Sequence, residues 1–200
     1  MIPYSEEKLL NSISYLANEH KKVSGKNLYK TPLLKYLALF YYKILKETGE
    51  PPFRANFLAM EKGPVHEEVY IGIDENLIGN GEFKVLEDSW HIFPYKSKKN
   101  KYIESVKYDL DYFSDLEIEV MDELIKEFAT NYKNVENLIE ATHKLEPWIK
   151  AWEARGNKKM NIITDDNIFD PESDSNSPAY QHYKTFKVLS EAETNSTSVW

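Results

Sequence analysis

Histidines are the side chains of this protein best suited to move a proton or hold a metal, and they stand at His20, His66, His91, His143 and His182. Their spacing assembles no ligand set. His66-Glu67-Glu68 spells the opening of a zinc-protease helix, but that chemistry needs a second histidine one turn further along the same face, where this chain has Tyr70. His91 lies in a strand-like run and reads as a structural histidine. His143 stands just before a Pro-Trp pair and reads as a helix-end residue that satisfies the last carbonyls of its own helix. Asp109, Asp111, Asp115 and Glu117 could crowd around a divalent cation. The same carboxylates complement the positive end of a helix dipole, and we read them that way. Lys96, Lys98, Lys99 and Lys101, framed by Tyr95 and Tyr102, could touch phosphates. On an acidic protein they read instead as protection of an exposed strand edge or as a partner-binding knob.

Other chemistries lack their signatures. Neither a Gly-x-Gly-x-x-Gly turn, nor a phosphate-binding P-loop, nor a Gly-x-Ser-x-Gly elbow occurs. A count of 0 cysteines removes thiolate zinc sites, iron–sulfur clusters, disulfides and cysteine nucleophiles together. The expectation is a protein that is not an enzyme and uses no metal and no cofactor. A net charge of −8 argues against nucleic acid as a partner, because such binders carry a basic footprint. No apolar run reaches the roughly 20 residues of a membrane helix; the richest, Leu37 to Leu45, is interrupted by Lys43. The first ten residues, MIPYSEEKLL, lack the basic and apolar regions of a secretory signal, so a cytoplasmic protein is expected. With 42% hydrophobic and 14% aromatic residues the chain can bury a core, which excludes wholesale disorder.

The elements that must position these residues are mostly helical. Leu9, Leu10, Ile13, Leu16 and Ala17 recur at helical spacing from about Ser5, a sound N-cap, toward Gly25. Thr31-Pro32 starts a second helix through Thr48, apolar on most sides and therefore buried at the centre. Phe53 to Lys62 reads as extended or irregular. Gly63-Pro64 reads as the turn that starts a short helix over Val65 to Ile73. Residues 83–85, 90–93 and 102–106 are β-like, with Lys96–Lys101 at a hairpin tip. Ser114 and Glu117 form a capping box for a helix to about Ala129. Asn134 starts another, and Pro147 restarts a short one from Trp148 to Ala154. Ile162-Ile163 is a short extended piece, and Asp165 or Asp166 caps a last turn. Residues 172–200 turn to Ser, Asn and Thr and read as a flexible tail, with Phe186, Val188 and Leu189 as its only docking candidates.

Two stretches carry a resemblance. Pro32-Leu33-Leu34-Lys35-Tyr36-Leu37 precedes an aromatic-rich helix, a Gly-Glu-Pro-Pro-Phe turn, and Phe57 to Val65. There Ala59, Gly63, Pro64, Val65 and, further on, Tyr70 fall in the order of an element of the Panacea domain, also called SocA-like or phage-associated GepA-like. Thr142 to Ala151, with His143, Pro147 and Trp148, is similar to that family's His…Pro-Trp signature. Met60 and Lys62 stand where the family often has aromatics. The resemblance covers about Leu9 to Asp170.

It implies an antitoxin encoded beside a toxin in bacteria or prophages, which neutralises a cognate toxin by protein–protein contact. In one branch it implies delivery of the toxin to an ATP-dependent protease; an interaction module without a toxin is the alternative. The expected fold is mainly α (α+β): a compact domain over 1–171 of five to seven helices with one small antiparallel β-sheet, plus the 172–200 tail. For partner contact the aromatic residues Phe57, Tyr70, Trp148 and Trp152 are better candidates than His66 or His143. Trp148 and Trp152, four apart on one helical face, predict that one plugs the core while the other rims a groove. Gly63-Pro64-Val65 and Pro147-Trp148 also have a purely architectural reading, as a helix-starting turn and as a helix break with a core plug.

Overall fold

In this computed structural model α2 (Lys30–Thr48) is the axis of the domain. Its Leu33, Leu37, Ala38, Phe40, Tyr41, Ile44 and Leu45 are all buried, and residues on so many sides of one helix can be dried only by surrounding it. The structure describes residues 2–79, 81–92, 96–130 and 134–197. Around α2 pack α1 (Ser5–Ser24), α4 (Asp115–Phe128), α5 (Asn134–Thr142), α7 (Pro178–Thr197) and the strand β3 (Gly63–His66). Helices α3 (Glu67–Glu75) and α6 (Glu146–Glu153) complete seven among the described residues, so the mainly helical expectation is met.

Helix ends follow local chemistry in most places. α1 closes on Gly25 at φ 70°, whose N–H donates to the Lys21 carbonyl. Ser5 is the first residue of α1 rather than its cap; its hydroxyl accepts the Arg54 N–H at 2.7 Å and ties the helix start to the segment after α2. The capping box forms as expected. Ser114 Oγ accepts from the Glu117 N–H and the Glu117 carboxylate accepts from the Ser114 N–H. That carboxylate also takes Lys8 Nζ at 2.7 Å, joining α4 to α1.

One sheet was expected, and the described residues form two. The first runs β1 (Leu28–Tyr29), β5 (Lys96–Ser105), β4 (Phe83–Ile92), all antiparallel. The three expected strand pieces therefore fuse into two ten-residue strands, and Lys96–Lys101 lie within β5, paired with residues 87–92, rather than at a tip. The tip itself, 93–95, is outside the described residues. Lys101 Nζ reaches the carbonyls of Ile73 and Asp74 at 2.8 and 2.6 Å, where a cation meets the negative end of α3.

The second sheet, β3, β2 (Phe57–Met60), β6 (Asn161–Ile162), corrects the reading of Gly63-Pro64-Val65 as a helix start. These residues are a buried strand paired with β2, Leu58 opposite Val65 and Ala59 opposite Pro64, and the helix begins only at Glu67. Proline is tolerated because β3 is an edge of that sheet.

Within the described residues 172–197, the start of α7 packs on the domain. Ala179 and Tyr183, four apart, are buried, and Phe169 packs on Tyr183 and Tyr180 at 5.2 and 5.4 Å between ring centres. Gly49 makes this possible. It ends α2 at φ 79°, and any Cβ there would run into the Ala179 carbonyl. The Tyr183 hydroxyl and Lys187 Nζ close on Asp166 at 3.0 and 2.6 Å. Of the expected docking residues Val188 and Leu189 are exposed, and Phe186 is half-buried. The low hydrophobicity hid the packing because only one face of two turns carries it; residues 198–200 are outside the described residues. Truncation after Ser177 should therefore cost about 3 kcal/mol by loss of buried side chains, and thermal denaturation should show Tm lowered by roughly 6–12 °C. An unchanged Tm would show that α7 contributes no stability.

Candidate functional site

Both resemblance motifs meet at Gly63. Its backbone stands at φ 94°, a conformation that excludes ordinary side chains. A Cβ there would lie 2.5 Å from Thr142 Oγ1, 3.3 Å from Lys35 Nζ and 3.4 Å from the His143 ring. Three segments far apart in sequence, α2, the β2–β3 hairpin and the α5–α6 junction, thus close on one hydrogen-sized position.

Lys35 is the most demanding of these groups. It is 1% exposed, and its ammonium donates to the Pro64 carbonyl at 2.8 Å. No carboxylate pairs with it among the described residues. Burial, and then the charge of Lys62, push it down to about 7. Thr142 is fully buried beside it, its hydroxyl donating to the Ile139 carbonyl at 2.8 Å.

From this point an aromatic column runs outward. The His143 ring lies flat on Trp148, 4.1 Å between centres and 9° between planes. Burial and the Lys35 charge lower its basicity, and its Nε2 is buried with no hydrogen-bond partner among the described residues. Trp148 is 7% exposed and donates its indole N–H to the Met60 carbonyl at 3.1 Å. Trp152 stacks next at 5.7 Å and is half-buried. The Arg155 guanidinium covers it at 3.6 Å from the ring centre. The core plug is therefore Trp148 and the rim residue Trp152. Pro147, buried within the first turn of α6, sets the angle at which that helix leaves α5.

The remaining candidate residues are not gathered at this point. Phe57 and Ala59 are buried, Phe57 against Tyr41 at 5.0 Å and His66 at 5.5 Å. Val65 is buried on β3. His66 is fully buried, neither ring nitrogen has a hydrogen-bond partner among the described residues, and burial pushes it down to about 4. Tyr70 is half-buried and carries the Lys30 ammonium 3.5 Å over its ring, away from the column. His20 is buried beside the Tyr36 hydroxyl, His182 contacts the Thr48 carbonyl, and His91 lies in β4. No group of three metal-ligating side chains gathers among the described residues. Lys35, Thr142 and Arg155 were not singled out from sequence. For Lys35 the signal was legible: a charged residue inside the apolar run Leu33 to Ala38.

The chain belongs to the family described as "Antitoxin SocA-like, Panacea domain", whose model matches residues 33–149. The match spans the three segments that close on Gly63. Neither a curated protein nor a solved structure matches the chain at a significant level. No helix among the described residues is long and apolar enough to cross a membrane.

Burial of Lys35 has a thermodynamic signature. With its ammonium held at about 7 in the fold against an ordinary value of 10.5, the unfolded chain binds more protons between those limits. Its contribution to stability is therefore full above pH 10.5 and is lost as pH falls toward 7. The denaturant-derived stability of the native protein minus that of Lys35→Met should rise across this window, by up to about 1.4 kcal/mol per pH unit. A difference that stays flat with pH would show that the ammonium is hydrated in the native state.

Proposed function

We propose that this protein is an antitoxin that neutralises a cognate toxin by direct protein–protein contact, in the cytoplasm and without catalysis. The observation that supports it is the family match, joined to the convergence of that family's motifs on one buried clasp that holds an aromatic column toward the surface. Lys35, Thr142 and Trp148 are consumed in holding segments together. Trp152 and Arg155, the residue types in which interface energy concentrates, stand at the outer end.

The test is co-expression with the product of the neighbouring gene in a bacterial growth assay. The neighbour alone should arrest growth, and this chain should restore it and co-purify with it. His66→Gln and His143→Gln should keep the protection, because neither ring supplies chemistry. A neighbour that is harmless alone would overturn the antitoxin reading. Loss of protection on chelation, or with His143→Gln in a folded protein, would overturn the non-catalytic one. Rescue accompanied by disappearance of the toxin, abolished in cells lacking an ATP-dependent protease, would replace neutralisation by contact with proteolytic delivery.

A further inference from the structure

Resting on the reading of a protein-binding antitoxin, we propose that the outer end of the aromatic column docks an acidic, apolar-anchored segment of the partner protein. The surface is formed by Trp152, Arg155, Met160 and Ile162, with Lys158 and Lys159 beside them.

Exposed apolar area comes first. Met160 is 47% and Ile162 67% exposed, next to and within β6, an edge strand of the second sheet. Single exposed apolar residues are ordinary, but these two stand two residues apart on the segment that passes beside α6, the helix that carries Trp152. Asn161, between them, donates its side-chain amide to the Ala151 carbonyl at 3.1 Å, which fixes β6 beside α6 and Trp152. Arg155 donates Nη1–H to the Trp152 carbonyl at 2.5 Å while its plane covers the indole. The guanidinium is thereby held still with its other N–H donors free to meet a carboxylate, so little further side-chain entropy is lost on binding.

Charge selects the occupant. Residues 143–160 carry Lys144, Lys150, Arg155, Lys158 and Lys159 against Glu146 and Glu153, in a chain of net charge −8. The four lysines are exposed and, among the described residues, join no ion pair. Other exposed lysines, among them Lys21, Lys62, Lys107 and Lys126, are likewise outside the ion pairs of the described residues, so what distinguishes 143–160 is its local excess of five basic over two acidic side chains. A locally positive face on a negative molecule attracts an acidic segment to that face and repels it from the rest. Nucleic acid fits less well. A phosphate backbone offers nothing apolar to cover Ile162 and Met160, whereas an acidic peptide can alternate its carboxylates with apolar side chains.

The test uses the full chain and a short fluorescent peptide alternating glutamate with leucine, read by anisotropy. A lysine-for-glutamate peptide and a single-stranded oligonucleotide serve as competitors of other chemistry. The acidic peptide should bind, more weakly as salt rises, and K158E/K159E should weaken it by about tenfold or more. These side chains are exposed and unpaired, so the double variant should keep the native Tm; W152A should weaken binding similarly. No binding, binding indifferent to K158E/K159E, or tighter binding of the oligonucleotide would overturn the proposal. The growth assay separates the two readings. Undiminished protection by K158E/K159E would overturn this surface while leaving the antitoxin reading intact. A native chain that fails to protect would overturn the antitoxin reading, and the peptide result would still decide the surface.

Discussion

An ammonium group enclosed by a helical core must find an acceptor or give up its proton, and Lys35 meets that demand through the carbonyl of Pro64. Much of the domain's arrangement follows from this contact. The carbonyl can reach Nζ only if the β2–β3 hairpin lies against α2, which requires Gly63 to adopt a positive φ. The hydrogen-sized gap at Gly63 is in turn where Thr142 and His143 close the lid from the α5–α6 junction. Removing a partner would leave a buried polar group stranded, which costs more than the bond itself contributes.

The same clasp sets the position of everything outside it. His143 lies flat on Trp148, Trp148 is pinned by its N–H to Met60, and Trp152 and Arg155 extend the stack to solvent. A hairpin backbone, a proline-angled helix and a stack of flat groups thus pass from a buried charge to a surface arginine without a flexible link. An interface residue so supported is already in place before a partner arrives, which reduces the ordering cost of binding.

Further along α2 a buried tyrosine holds a half-buried carboxylate. The Tyr41 hydroxyl donates to Asp165 at 2.6 Å, and burial pushes that carboxyl up to about 6. Neighbouring Asp166 gathers Tyr183 and Lys187 from α7, so the C-terminal helix is tied to the segment that carries Asp165. Aromatic packing of Phe57 on Tyr41 and Tyr42 joins this side to the second sheet.

What the sequence determined by itself was whatever local periodicity and capping chemistry decide. The apolar faces of α1, α2 and α4, the Ser114–Glu117 box and the mainly helical class were all legible, as was a helix break near Pro147, which falls at 143–145 just before it, and the family, through motifs whose order survives without coordinates. The division of labour between Trp148 and Trp152 was legible only as a pair of alternatives, because helical spacing puts both on one face and cannot say which end faces the core. Tertiary structure decided the rest. Gly63-Pro64-Val65 is a strand because β2 and α2 supply its partners from elsewhere in the chain. α7 packs because Gly49 leaves room for its backbone. Lys35 is a keystone because Pro64 lies within reach. Each depends on contacts between residues distant in sequence, and a spacing rule that looks a few residues ahead carries no information about them.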